Sequence, residues 1–206
     1  MNNAGIAGVP SGWTKEGYEI QFGTNYVGHA LLTKLLLPTM LKTIEEYGSS
    51  VRIINISSEG HNAVPLGGII LDQAWLQWYP SWIRYANSKL ANILFTKALA
   101  KRYPQIISVS LHPGIILTNL YTPSYRYFIM WIGISAMSIL MTTLEKGAYN
   151  QLWAATAPKE KIQNGGYYRP VGVLANGSFL TGYASNEKMS EKLWNWTEEE
   201  LKKHGF

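Results

Sequence analysis

The 206-residue sequence predicts an α/β fold built on a parallel sheet. Two short β-branched runs, "VRIINIS" at 51–57 and "IISVSL" at 106–111, each follow a stretch of helical periodicity, the pattern of parallel strands joined by crossover helices. At 47% hydrophobic and 15% charged residues the chain can bury one core, so 1–206 reads as a single domain.

The elements follow in order. "MNNAGIAG" opens the chain on a turn with no strand ahead of it. From about Lys15 to Lys42, Ile20, Val27, Leu31, Leu35 and Leu36 recur at helical offsets and predict one long helix. Pro38, lacking an N–H, predicts a kink or stop there. The strand at 51–57 is bounded by Gly48-Ser49-Ser50 and Glu59-Gly60, as a buried strand would be. Pro65, Gly67-Gly68 and Pro80 make 62–84 an irregular excursion with room for one short strand. A second helix from about Tyr85 to Tyr103 buries Leu90, Leu94 and Ala98, and the strand at 106–111 ends at His112-Pro113-Gly114. An apolar segment at 120–141, a helix around Glu145 to Ala157, a turn at Asn164-Gly165-Gly166, a strand near Tyr167 and a charged helix around Lys188 to Lys203 complete the chain.

The 18 basic and 13 acidic residues are scattered through both halves, which describes a solvated surface and no nucleic-acid partner. The chain has no cysteine, hence no disulfide or thiolate metal site, and a reducing, cytoplasmic location is expected. His29, His61 and His112 are spread too widely along the chain to predict a metal centre. The fifteen residues 127–141, "YFIMWIGISAMSILM", fall short of the ~20 needed to span a bilayer as a helix. A core helix and a patch touching a lipid surface remain as readings of that segment.

"YANSK" at 85–89 places Tyr85 and Lys89 one helical turn apart, where a lysine ammonium can alter its neighbour's acidity. With 13 tyrosines in the chain, about one such pair arises by chance, so the spacing needs company. Company is present: Asn25 in the first long helix, and Ser58 just after a buried strand, at the carboxyl edge where open α/β sheets bind ligands. Strand alternation favours Ser58 over Ser57.

"NNAG" (2–5), "FGTNYVGHALLT" (22–33), "NISS" (55–58), "YANSK" (85–89) and "HPGIILTNL" (112–120) occur in an order that resembles the short-chain dehydrogenase/reductase family, from residue 2 to about 157. "GTN…GH…LLTKLLLP" and "SKLANILFT" resemble most its retinol-dehydrogenase-like and fungal oxidoreductase subgroup. The resemblance implies a doubly wound, Rossmann-like fold and hydride transfer between NAD or NADP, with NADP slightly favoured, and an apolar alcohol, ketone or aldehyde. It implies that Asn25, Ser58, Tyr85 and Lys89 are catalytic, with Asn25 holding a water that links Lys89 to solvent. It also implies a cofactor site made by Asn3, Ala4 and Gly5 beside the adenine ribose, Tyr85 and Lys89 at the nicotinamide ribose, Pro113 and Gly114 beneath the nicotinamide, and Thr118. Residues 120–143 correspond to the family's substrate lid, and homodimers through the two long helices are common in it.

The chemistry has its own logic. Moving hydride to or from a carbonyl carbon requires a proton to move on the oxygen, and a free tyrosine with pKa about 10 is a poor base at neutrality. An adjacent ammonium favours the phenolate, and a serine hydroxyl can hold the oxygen where negative charge develops. The departure from the family lies at the start: no G-x-x-x-G-x-G turn precedes "NNAG", and about seventy to eighty residues of strand and helix are expected to be missing. A truncated, cofactor-free relative acting as an interaction or lipid-surface protein is the alternative.

Overall fold

The computed structural model describes residues 1–114, 144–175 and 182–206. The predicted lid at 120–143, with its apolar run 127–141, and Thr118 lie outside the described residues.

Among the described residues four strands form one sheet in the order β1 (Arg52–Ile56), β2 (Ile107–Leu111), β3 (Tyr167–Arg169), β4 (Val173–Leu174). The first three are parallel, with Arg52 opposite Ile107 and Ser110 opposite Tyr167, and β4 returns antiparallel on β3. The short hairpin return is absent from the sequence reading because two residues are too few to display alternation. On the outer side of β1, Asn2 forms a parallel bridge to Asn55: its N–H donates to Ile54 O at 2.8 Å, and its carbonyl accepts from Ile56 N at 3.1 Å. "NNAG" therefore leaves the sheet beside the end of β1.

Alternation along the strands divides the core in two. Ile54, Ile56, Ile107, Val109 and Leu111 pack with Ala154, Trp153 and Tyr168 on one face. The other face, with Ile53, is covered by the larger cluster of Phe22, Tyr26, Leu90, Leu94, Leu99 and Leu193. Small Ser108 and Ser110 point to that side from β2, letting the long helix behind the sheet approach closely.

The helices are α1 (Ile20–Phe22), a π-helical turn (Gly23–Val27), α2 (Gly28–Tyr47), α3 (Gln73–Leu76), α4 (Ser81–Arg102), α5 (Leu144–Gly147), α6 (Tyr149–Thr156) and α7 (Glu187–Lys203). The first long helix thus starts at Ile20, later than Lys15, and runs past Pro38 to end at Gly48, whose φ of 60° closes it in the left-handed region. Pro38 does not stop it because its side is exposed, where water can satisfy the carbonyl a turn earlier. Helix α4 begins a turn before Tyr85, after the extended Pro80. Between β1 and α4 there is no strand among the described residues, only the 3₁₀ turn Glu59–Ala63 and α3. The Arg52 guanidinium donates to Ala154 O at 2.9 Å and Ala157 O at 2.6 Å, tying the C-terminal end of α6 to the start of β1.

Candidate active site

Strand β1 delivers two serines at its C-terminal end, and they separate as alternation requires. Ser57 is buried, its Oγ donating to the Lys89 carbonyl at 2.7 Å. Ser58 is half-buried with extended backbone, and its Oγ accepts the Gly60 amide at 3.1 Å as the cap of the Glu59–Ala63 turn. Accepting there leaves the hydroxyl proton to donate elsewhere.

Helix α4 brings up the tyrosine and lysine. Its first turn places the Tyr85 ring beside the same glycine: a Cβ on Gly60 would stand 3.4 Å from Ser58 Oγ and 3.4 Å from Tyr85 Cε1. One turn on, Lys89 Nζ lies 5.5 Å from the Tyr85 ring centroid. The lysine is 4% exposed, and Nζ donates to Ile56 O at 3.1 Å, a carbonyl that also accepts from Asn92 Nδ2 at 2.9 Å. The face of α4 toward β1 is accordingly polar and buried, with Ser88, Lys89, Asn92 and Thr96 on it. Such a helix keeps its register because each of these groups needs its own partner.

Burial pushes the Lys89 ammonium down to about 8 from the usual 10.5, so it remains largely charged at neutral pH. Because the folded value lies below the unfolded one, the unfolded chain binds more protons between about pH 8 and 10.5. Wild-type stability therefore rises with pH through that window. Lys89→Met is expected to be more stable than wild type at pH 7, by up to about 3 kcal/mol, with the gap closing toward pH 10.5. Urea unfolding at pH 7 and pH 10.5 checks this, and a gap independent of pH contradicts it. Ile56 O keeps its bond from Asn92 in the variant, so no acceptor is orphaned.

Asn25 sits in the π-helical turn and is fully buried. Its Oδ1 accepts from Ile6 N at 2.8 Å, while Nδ2 donates to Ile6 O at 2.9 Å and Ser88 Oγ at 3.0 Å. Its carbonyl accepts from His29 Nδ1 at 3.0 Å. The side chain thus pairs with the backbone of the N-terminal segment and locks it to α4. This brings Gly5 close: a Cβ there would stand 3.2 Å from Asn25 Oδ1 and 3.6 Å from Lys89 Nζ. Asn3 and Ala4 are exposed next to it. Pro113 and Gly114 are half-buried at the end of β2, and the Gly114 φ of 96° is open to glycine at no steric cost. A glycine packed against Asn25 and Lys89 and a positive-φ turn both lie at the carboxyl edge of the sheet, where open α/β sheets bind ligands.

The structure also gathers residues that sequence reasoning missed. Glu59 accepts from Arg169 Nε at 2.9 Å and Nη2 at 2.8 Å, and from the Tyr167 hydroxyl at 3.0 Å. His61 is fully buried, its Nδ1 donating to Ser58 O at 2.6 Å and its ring meeting Tyr167 edge-on at 5.2 Å. His61 and His112, read as scattered, both feel the Glu59 and Arg169 charges. Burial lowers both imidazoles, His112 to about 4, with the Glu59 charge opposing the shift. Burial also drives the Tyr167 phenol well above its ordinary value, and it senses the charge of Tyr85. Burial raises the Glu59 carboxyl, but the Arg169 and Tyr167 hydrogen bonds outweigh this and hold it below the usual carboxylate range. His61 had a local signal, three residues after a capping serine; Tyr167 and Arg169, more than a hundred residues from Glu59, had none. Among the described residues no group of three His, Cys, Asp or Glu is placed to hold a metal ion, and no helix is long and apolar enough to cross a membrane.

Comparison with known proteins agrees with this architecture. The family described as short chain dehydrogenase matches residues 1–126. An oxidoreductase of Schizosaccharomyces pombe is 38% identical over 96% of this chain and 59% of its own length. The short-chain dehydrogenase/reductase drtF of Aspergillus calidoustus is 32% identical over 98% of this chain and 68% of its own. Retinol dehydrogenase 12 of Mus musculus is 32% identical over 95% of this chain, which spans 58% of that relative. A crystal structure of an uncharacterized protein from Mycobacterium paratuberculosis superposes with TM-score 0.69 at 29% identity, covering 98% of this chain and 65% of that one. The gluconate 5-dehydrogenase of Burkholderia cenocepacia, at 18% identity over 83% of this chain and 62% of its own, shares the fold with TM-score 0.58. With a family match over more than half its length and a relative it covers by more than two thirds, the chain belongs to the short-chain dehydrogenase family.

Proposed function

We propose that the chain carries the catalytic half of an NAD(P)-dependent oxidoreductase acting on an alcohol or carbonyl group of an apolar substrate. The observation that carries this is the convergence of Ser58 Oγ and the Tyr85 ring on Gly60, with Lys89 Nζ 5.5 Å from that ring's centroid. When bound, the nicotinamide supplies or accepts the hydride. Ser58, its Oγ oriented by the Gly60 amide, donates a hydrogen bond to the substrate oxygen. Tyr85 exchanges the proton on that oxygen, and the buried Lys89 ammonium favours the phenolate form. Lys89, Tyr85, Asn3, Ala4, Gly5, Pro113 and Gly114 hold the dinucleotide. Asn25 acts on the site by fixing the segment after Gly5 against α4.

Two supports bear on the finer choices. The subgroup resemblance favours NADP over NAD, and the relatives named retinol dehydrogenase favour an apolar substrate. The chain spans about three fifths of the length of the fission-yeast relative. A cofactor-free interaction protein is the second reading. Titration with NADPH and NADH distinguishes them. The first reading predicts saturable fluorescence quenching and a thermal shift, stronger with NADPH; no response at millimolar cofactor overturns it in favour of the second.

A further inference from the structure

We propose that Glu59 and Arg169 are positioning residues: their ion pair is a latch across the top of β2 that sets where Ser58 stands. The inference rests on the reading of Ser58 given above. The bonds inside the serine turn are local. Ser58 O accepts from His61 N at 3.1 Å and from His61 Nδ1 at 2.6 Å, and Ser58 Oγ accepts from Gly60 N. They shape the turn, and Ser57 N, donating to Leu111 O at 2.7 Å, fixes its entry to β2 but not the residues that follow. Glu59, the next residue, reaches past β2 to β3, where Arg169 grips both carboxylate oxygens and Tyr167 adds a third bond.

A two-point guanidinium–carboxylate pair fixes direction as well as distance, which a lysine would not do. The His61 ring packs edge-on against the same Tyr167. Tyr167 in turn lies close enough to Tyr85 to feel its charge, so the latch orders the neighbourhood of both proposed catalytic side chains. The pair keeps 27% and 34% side-chain exposure, and ion pairs that wet contribute little to folding. Its removal should therefore displace the turn without unfolding the sheet.

The test compares wild type with Arg169→Met and Arg169→Lys by hydrogen exchange and by turnover. In Arg169→Met, exchange at residues 58–63 is expected to rise about tenfold while 52–57 and 107–111 stay unchanged. Its kcat is expected to fall about 10- to 100-fold with the KM for NAD(P)H unchanged, because a small misplacement of the oxygen-holding group acts on the reacting geometry. Arg169→Lys should recover part of both effects. Unchanged exchange at 58–63, or a rise spread equally over β1 and β2, overturns the latch, as does a loosened turn with unaltered kcat. Should Arg169→Met not fold, Glu59→Gln removes the same charge pair and is read by the same criteria. If wild type shows no turnover, it is the oxidoreductase reading that fails, while the exchange contrast still decides whether the latch holds the serine turn.

Discussion

Tyr85→Phe is expected to lower turnover by about 10²- to 10⁴-fold, the range that a positioned acid/base supplies. Only the phenolic oxygen is lost, and the half-buried ring keeps its place beside Gly60. Cofactor affinity should change little and the unfolding free energy by no more than about 1 kcal/mol. Steady-state NADPH oxidation with an apolar aldehyde, set beside a urea melt, measures both. Ser58→Ala should act through the other half of the site, costing about 10²- to 10³-fold in kcat as removal of an oxygen-holding donor does. Turnover preserved in Tyr85→Phe would move the acid/base elsewhere; Tyr167 senses the charge of Tyr85, but its raised proton affinity makes it a poor base.

The largest effect on stability is expected one residue earlier. Arg84 and Glu19 are 3% and 0% exposed, and Arg84 Nη1 meets Glu19 Oε1 at 2.5 Å. Arg84 also donates to Val9 O at 2.9 Å and Tyr79 O at 3.1 Å, while Glu19 Oε2 accepts from Phe22 N at 2.8 Å as the cap of α1. Arg84→Ala would strand a buried carboxylate and the carbonyls of Val9 and Tyr79, a loss of about 3–5 kcal/mol. Replacing both residues, Arg84→Met with Glu19→Gln, leaves no buried charge and should recover most of the loss while keeping an acceptor for the cap. Equilibrium urea unfolding of the two variants reads this directly. A single-variant loss below about 1 kcal/mol would mean that water reaches the carboxylate.

What could be read from the sequence was what repeats locally. The strands at 51–57 and 106–111 and the helices ending near Lys203 and Arg102 follow from short-range periodicity. The separation of Ser57 from Ser58 follows from the twofold alternation of extended chain. Pro38 does not bring the stop it could have, because proline's penalty depends on whether the freed carbonyl meets water, which only the packed helix decides. Asn25 lay in the right helix, but its partner Ile6 is set by the path of the N-terminal segment, and nothing in the residue type says that the amide will clamp backbone. Glu59 and Arg169 are 110 residues apart, and their bond depends on the order β1-β2-β3, which sequence periodicity does not contain. His61 and His112 look scattered for the same reason: one lies in the turn after β1 and the other directly follows the adjacent strand β2.

The account stands on hydride passing at the edge where Ser58 and Tyr85 meet. The most direct measurement supplies the chain with 4-deuterated NADPH and an apolar aldehyde and examines the alcohol product by mass spectrometry. Deuterium on the carbinol carbon, accumulating about 10²- to 10⁴-fold more slowly with Tyr85→Phe, is the result predicted. A folded, cofactor-saturated protein that yields no labelled alcohol from any apolar aldehyde or ketone in the series would contradict it.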